Sequence, residues 1–204
     1  MIVRDAYRFL VPLAFLAVLA FFFGLIAAGL FVTALFAFVA FFFRNPTRTI
    51  PGDPGTIVSP ADGKVVRVER VGNVTRMSIF LSLFNVHVNR SPIAGRIKAV
   101  DYRPGKFLVA FNDKASTDNE RNIVMVSDGR ITIVFTQIAG IVARRIVFWK
   151  KAGDTVAKGE LVGLIRFGSR VDVLFPAGTE ATVSVGDRVK GGSTRIGIIK
   201  ETNG

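Results

Sequence analysis

Four short segments gather the residues able to do chemistry. In Ser59-Pro60-Ala61-Asp62-Gly63 a carboxylate stands at a turn just ahead of a β-branched run, although an Asp-Gly pair is also ordinary turn chemistry. From Phe80 to Pro92, if the chain continues as one strand, Asn85, His87 and Asn89 share one face and Phe84, Val86 and Val88 the other. His87 is the only histidine, and a lone histidine is either structural or part of a site. Asp118-Asn119-Glu120-Arg121-Asn122 is a solvated loop, or a loop whose arginine and asparagine hold a phosphate or a carboxylate. In Leu164 to Pro176, Gly168-Ser169 interrupts what otherwise reads as one strand, where a glycine weakens pairing unless the backbone needs a special conformation. A strained peptide beside a hydroxyl can react with itself.

The elements that must position these residues are of two kinds. The 204-residue chain has 27 basic and 15 acidic residues, a formal charge of +12, yet half of it is hydrophobic. The two properties are segregated. From Phe9 to Phe43 no residue is charged, and 11 of the 19 phenylalanines lie there. From Arg44 onward 25 basic residues face 14 acidic ones, a net +11. The sequence therefore divides into an N-terminal membrane anchor, residues 1–43, and a domain over residues 44–204.

This run of thirty-five residues, polar only at Thr33, exceeds the core of a signal peptide. They are too many for one straight span of about 20 and slightly few for two complete spans. Gly24 and Gly29 bracket the middle, and Arg4, Arg8, Arg44 and Arg48 flank the run. A helical hairpin with both ends cytoplasmic is expected, one long tilted helix being the alternative. The absence of cysteine excludes disulfides, thiolate nucleophiles and Cys-ligated metals, and a single histidine excludes a multi-histidine metal site.

After Asn45-Pro46 the pattern is mainly β. Strands are predicted over Lys64–Val71, Thr75–Leu83, Ile93–Tyr102, Asn122–Val126, Arg130–Phe135, Ile141–Phe148 and Val171–Phe175, with Asp128-Gly129 a hairpin turn. Gly153-Asp154-x-Val156-x-x-Gly159 recurs as Gly186-Asp187-x-Val189-x-x-Gly192. That pattern resembles the lipoyl- and biotinyl-type elements of barrel-sandwich modules, without a modified-lysine context. The expected fold is a barrel-sandwich-like β domain preceded by a hydrophobic membrane helix or helical hairpin.

SPADG, then FLS followed by a histidine and a proline, then NER, then KGELVGLIRFGS before V-x-x-L-F-P, taken in this order, resembles the short form of the phosphatidylserine decarboxylase proenzyme family over residues 56–176. The resemblance implies a carboxy-lyase that makes its own cofactor. On that model the Ser169 hydroxyl attacks the Gly168 carbonyl to give an ester, and β-elimination splits the chain into residues 1–168 and 169–204. The dehydroalanine left at position 169 hydrolyses to a pyruvoyl group, whose carbonyl condenses with the amine of phosphatidylserine and takes up electrons as carbon dioxide leaves. The two chains of one precursor stay together as a heterodimer, acting on a membrane phospholipid at the cytoplasmic face of the cell membrane, with no metal and no nucleic acid involved.

The resemblance makes Asp62 an aid to self-cleavage and His87 a residue of substrate handling and decarboxylation, with Asn119 and Arg121 as substrate-binding candidates. Arg90 stands where the long bacterial form has a second histidine. Either His87 also serves cleavage with Asp62, or Asp62 acts more directly on Ser169. Gly191-Gly-Ser-Thr194 imitates the long form's cleavage motif but lacks its flanking context, and reads as a turn. Other readings are an archaeal ether-lipid decarboxylase of the same chemistry, a noncatalytic membrane-anchored adaptor, and, on charge alone, a nucleic-acid binder; the basic residues are scattered rather than clustered with aromatics, which argues against the last.

Overall fold

A computed structural model describes residues 1–105, 119–140, 145–166 and 169–200. It divides into two compact units, one ending at Thr47 and one beginning at Arg48.

The first unit is a helical hairpin of α1 (Tyr7–Phe22) and α2 (Ile26–Phe42). The helical stretch Arg4–Phe22 is long and apolar enough to cross a membrane, and α2 is a shorter apolar helix. The turn between them uses Gly24 at φ 73°, a left-handed backbone that a side chain resists, whereas Gly29 lies inside α2. The two ends of the hairpin are tied together: Val3 N donates to Phe43 O at 3.1 Å and Asn45 N to Met1 O at 2.7 Å. The single long helix is thereby replaced by the hairpin.

The second unit is built of fourteen strands: β1 (Thr56–Val58), β2 (Gly63–Val71), β3 (Val74–Leu81), β4 (Val88–Arg90), β5 (Gly95–Arg103), β6 (Arg121–Ser127), β7 (Thr132–Ala139), β8 (Ile146–Phe148), β9 (Thr155–Val156), β10 (Leu161–Ile165), β11 (Ser169–Phe175), β12 (Thr179–Ala181), β13 (Arg188–Val189) and β14 (Arg195–Ile199). The mainly β expectation holds. Every predicted strand shifts at one or both ends: β7 runs on past Phe135 to Ala139, and β11 begins at Ser169 rather than Val171. The strand from Thr75 stops at Leu81, because Ser82–Asn85 forms a turn, so the long polar-faced strand through His87 does not exist. The strand expected from Ile93 begins at Gly95. The one expected from Ile141 is described only as β8, residues 141–144 lying outside the described residues.

The large sheet has the order β13-β2-β3-β11-β7-β6-β5-β9, flanked by two three-stranded sheets, β1-β14-β12 and β4-β10-β8. This order has an internal two-fold symmetry between β11 and β7, centred on the pair Val173 and Phe135. It exchanges β13 with β9, β2 with β5, β3 with β6, and one small sheet with the other. The correspondence extends to single bonds. Ser59 Oγ donates to Ala61 O at 2.6 Å and Ser91 Oγ to Ile93 O at 2.7 Å. Val58 N donates to Pro92 O and Arg90 N to Pro60 O, both at 2.9 Å. Both β2 and β5 carry a register shift after their first turn of pairing, at Val65/Arg67 and Ile97/Ala99.

Ser-Pro-x-x-Gly thus occurs twice, at Ser59–Gly63 and at Ser91–Gly95. A Cβ on Gly63 would collide with the Phe80 carbonyl, and one on Gly95 with that of Ser127, so both glycines are required by close strand approach. The Gly-Asp repeat is the companion element: Asp154 O accepts from Ile97 N at 2.9 Å, and Asp187 O from Val65 N at 2.8 Å. Between the layers lies one apolar core, including Ile57, Val65, Ile79, Val124, Phe135, Val171, Val173 and Phe175. Each such side chain contributes about 1.5–3 kcal/mol by leaving water.

Candidate active site

Ser169 is the first residue of β11 and is paired on both sides, with Leu81 of β3 and Ala139 of β7. Strand alternation turns it to the same side as the core residues Val171 and Val173. It is fully buried, and its Oγ has no hydrogen-bond partner among the described residues. Gly168 lies outside the described residues.

His87 approaches this point through the small sheet. It precedes β4, and its carbonyl accepts from Ile165 N at 3.2 Å, at the end of β10 and four positions before Ser169. The ring is buried, with Nδ1 2.9 Å from the Asn85 carbonyl. A carbonyl only accepts, so Nδ1 carries the proton and Nε2 is the basic nitrogen of the neutral ring.

Under His87 and Ser169 runs a layer of amides. Asn89 Nδ2 donates to Pro60 O at 3.4 Å, Gln137 Nε2 to Asn89 Oδ1 at 2.9 Å, and Asn122 Nδ2 to Gln137 Oε1 at 2.9 Å. The Pro60 carbonyl can only accept, and that fixes the direction of every amide in the chain. The free end is therefore an acceptor, Asn122 Oδ1, which is buried without a hydrogen-bond partner among the described residues. An orphaned buried acceptor costs about 1–3 kcal/mol, a strain met elsewhere at sites awaiting a ligand.

Asn119 joins the same end of the sheet: its Nδ2 donates at 2.7 Å to the carbonyl of Ala139, the ladder partner of Ser169. Glu120 fixes this segment, accepting from Tyr102 Oη at 3.0 Å and Ile146 N at 3.1 Å. Burial first, and this bond second, push the Tyr102 hydroxyl above its ordinary pKa. Arg121 is not brought in. It pairs with Ile138, in the row of Arg170, on the face of the sheet opposite Ser169.

Asp62 lies at this end too, but apart from Ser169. Lys64, Phe80 and Arg170 form one cross-strand row, so β2 and β11 stand two strand spacings apart, about 10 Å. The carboxylate is held by Arg48, whose Nη2 is 2.7 Å from Oδ2 and 2.9 Å from Oδ1, and by Gly191 N at 2.8 Å from Oδ1. The Gly191–Thr194 segment is thus the turn the sequence suggests, closed over Asp62. Arg90, in place of a second histidine, donates to the Gly159 carbonyl at 2.8 Å. Burial first, and Arg48 second, lower its pKa, with Asp62 opposing them.

The residues from 35 to 197 match the family model for phosphatidylserine decarboxylase. The chain is 56% identical over 172 residues to a phosphatidylserine decarboxylase proenzyme of Solibacter usitatus, covering 84% of this chain and 83% of that protein. This chain belongs to the phosphatidylserine decarboxylase family. Proenzymes of the same name from Carboxydothermus hydrogenoformans and Symbiobacterium thermophilum are 47% and 45% identical, each alignment covering 96% of that relative and 97% and 98% of this chain.

The phosphatidylserine decarboxylase family is a family of carboxy-lyases with a covalent pyruvoyl group, and a buried serine opening a strand held on both edges is suited to become that group. Three contributors were missed in sequence. Arg48 reads as an anchor flank, Gln137 lies beyond the predicted strand Arg130–Phe135, and Asn122 reads as the edge of a polar loop where the strand Asn122–Val126 begins. Only Asn89 was signalled, by its spacing from His87.

Proposed function

We propose that this chain is the proenzyme of a pyruvoyl-dependent decarboxylase of phosphatidylserine, converting it to phosphatidylethanolamine and carbon dioxide after cutting itself between Gly168 and Ser169. The observation that carries this reading is the Ser169 hydroxyl, buried and without a hydrogen-bond partner among the described residues, inside the family's cleavage context. Its oxygen attacks the Gly168 carbonyl, the C–N bond of the peptide breaks, and an ester forms. Loss of the Ser169 α-proton and of the ester oxygen then separates the chains, and water releases ammonia from the residue left at 169. The pyruvoyl group supplies an electrophilic carbonyl that captures the substrate amine and accepts the electron pair of the departing carboxylate.

The remaining residues bind, orient and move protons. His87, its ring oriented by the Nδ1 bond to Asn85 O, exchanges a proton with the substrate. Asp62 acts in self-cleavage by holding the Arg48 and Gly191 side of the site, and Asn119 fixes the Ala139 carbonyl beside Ser169; Arg121, on the opposite face of the sheet, would contact the lipid phosphate only away from the Ser169 side.

Domain limits of 1–43 for the anchor and 44–204 for the catalytic part follow from the charge boundary, with β and α chains of residues 1–168 and 169–204. The small chain would stay docked as a heterodimer partner because β11 pairs with β3 and β7, β13 with β2, and β14 with β1. A cytoplasmic catalytic face is supported by basic residues on both flanks of a hairpin whose ends meet.

Intact mass measurement tests the reading. Two fragments divided at Gly168/Ser169, the smaller blocked at its N-terminus, and carbon dioxide from carboxyl-labelled phosphatidylserine are expected. A single intact chain that releases none would overturn it.

A further inference from the structure

We propose that the turn from Ser82 to Asn85 is a lipid-docking element, its Leu83 and Phe84 entering the apolar edge of a bilayer so that the Ser169 site opens at the lipid surface. This rests on the reading of a phospholipid substrate. The turn is closed by its own side chains. Asn85 Oδ1 accepts from Ser82 N and Ser82 Oγ, both at 2.8 Å, and Asn85 N donates to Ser82 O at 3.0 Å. His87 Nδ1 braces it from below through the Asn85 carbonyl.

So held, the turn presents Leu83 at 40% and Phe84 at 73% exposure. Among the described residues after Thr47, Phe84 is the most exposed large apolar side chain, and Leu83-Phe84 is the only adjacent pair of them. The tip starts two residues beyond Leu81, the ladder partner of Ser169.

The internal two-fold supplies a control. Leu81 and Ser169 correspond to Asp128 and Ile131, and the turn at that end is Asp128-Gly129-Arg130, with Arg130 exposed to 74%. One end of the fold therefore carries an ordinary charged hairpin, and the other an apolar tip that the backbone plan does not require. Nearly three quarters of the Phe84 surface is left to the surroundings, where water disfavours it and a bilayer offers it an apolar phase. Charge complements this choice. Residues after Thr47 number 24 basic against 14 acidic, and Arg145, exposed, lies at the same end beside Arg166. A basic unit with an apolar tip fits an anionic membrane surface.

The chain has no cysteine, so Phe84→Cys in the full chain gives a single attachment point for a nitroxide, and Arg130→Cys gives the symmetry-related reference. In vesicles of phosphatidylcholine and phosphatidylglycerol, the label at 84 should collide preferentially with oxygen and the label at 130 with a water-soluble nickel complex. A label at 84 that meets the nickel complex as freely as the one at 130 overturns the proposal, and so does one shielded from both probes, which would mean protein contact. Phe84→Ser should weaken apparent affinity for vesicular phosphatidylserine roughly ten-fold while intact mass still shows the two fragments. An unchanged affinity would likewise count against docking. The label reading needs no turnover, so a chain that decarboxylates nothing would sink the proposed function without deciding the docking.

Discussion

Asn89, Gln137 and Asn122 occupy, in one half of the β unit, the positions that Ile57, Phe175 and Thr75 hold in the other. The ladders make the match residue by residue. Asn122 pairs with Gln137 as Thr75 pairs with Phe175, and Asn89 stands opposite Gly163 as Ile57 stands opposite Gly197. The same backbone therefore closes over an apolar layer at one end and a chain of amides at the other. Its folding does not need the amides, so their expense in buried polarity belongs to what happens at that end. The same comparison divides the SPADG motif. Serine, proline and glycine recur in Ser91, Pro92 and Gly95 with the same bonds and close approaches and are scaffold, while Asp62 faces Ala94 across the symmetry and is the part that differs.

The comparison can be broken most sharply at Ser169. Ser169→Ala should leave one intact chain by mass, a complete loss of cleavage, whereas Ser193→Ala in the Gly191–Thr194 turn should leave the fragments as they are. Next in size is the Arg48–Asp62 pair, whose side chains are 9% and 12% exposed. Asp62→Leu strands a buried guanidinium and should cost about 3–5 kcal/mol in denaturant unfolding, and the double change with Arg48→Leu should cost less than either alone. Ala94→Asp, at the exposed symmetry-related place, should shift stability by under about 0.5 kcal/mol.

An effect of similar size should come from the amide layer. Gln137→Leu orphans Asn89 Oδ1 and Asn122 Nδ2 at about 1–3 kcal/mol each. Copying the other half with Asn89→Ile, Gln137→Phe and Asn122→Thr should recover stability measured by unfolding yet lose carbon dioxide release.

The least effect is one of pH. Glu160 and its counterpart Thr194 both cap a turn, Glu160 Oε2 accepting from Ala157 N at 2.8 Å and Thr194 Oγ1 from Lys190 N at 2.9 Å. The Lys150 bond at 2.5 Å first, and the Ala157 N–H second, hold the Glu160 carboxyl below its ordinary pKa. Its contribution is present above the unfolded pKa and lost as pH falls through the folded one. Glu160→Gln should flatten the acid limb of a stability-versus-pH curve, by under about 1 kcal/mol because the pair is partly solvated.

How much of this was legible depended on whether the signal was local. The Asp128-Gly129 hairpin and the Gly-Asp turns announce themselves because a turn's residue types are set by its own backbone. The end of β3 did not, since Ser82-Leu83-Phe84-Asn85 continues the alternation without glycine or proline and the break is made by a side chain, Asn85 Oδ1, bonding backward. Gln137 was hidden for a related reason. It lies beyond the predicted end of its strand at Phe135, whereas β7 runs on to Ala139 and alternation turns Gln137 inward with Ile133 and Phe135. Asn89 was read as sharing a face with His87 on one long strand; the strand is absent, but the short β4 keeps the two residues in step. Arg48 and Asp62, and the two Ser-Pro-x-x-Gly copies, are brought together or matched by pairing across the chain, which no window of sequence contains.

β11 lies at the centre of the eight-stranded sheet with a neighbour on each edge, and its first residue is Ser169. In the uncut chain this strand is delivered to its slot by its own covalent connection. If the chain is cut ahead of Ser169 as proposed, a piece of 36 residues would hold the middle of the structure by pairing and burial alone. Unfolding then yields two molecules, whose re-encounter depends on concentration and must rebuild a long-range slot that β3 and β7 leave open between them. The working protein would thus be the product of a folding reaction that it can no longer repeat, and its lifetime on heating is governed by the rate at which the central strand departs rather than by an equilibrium between folded and unfolded chains.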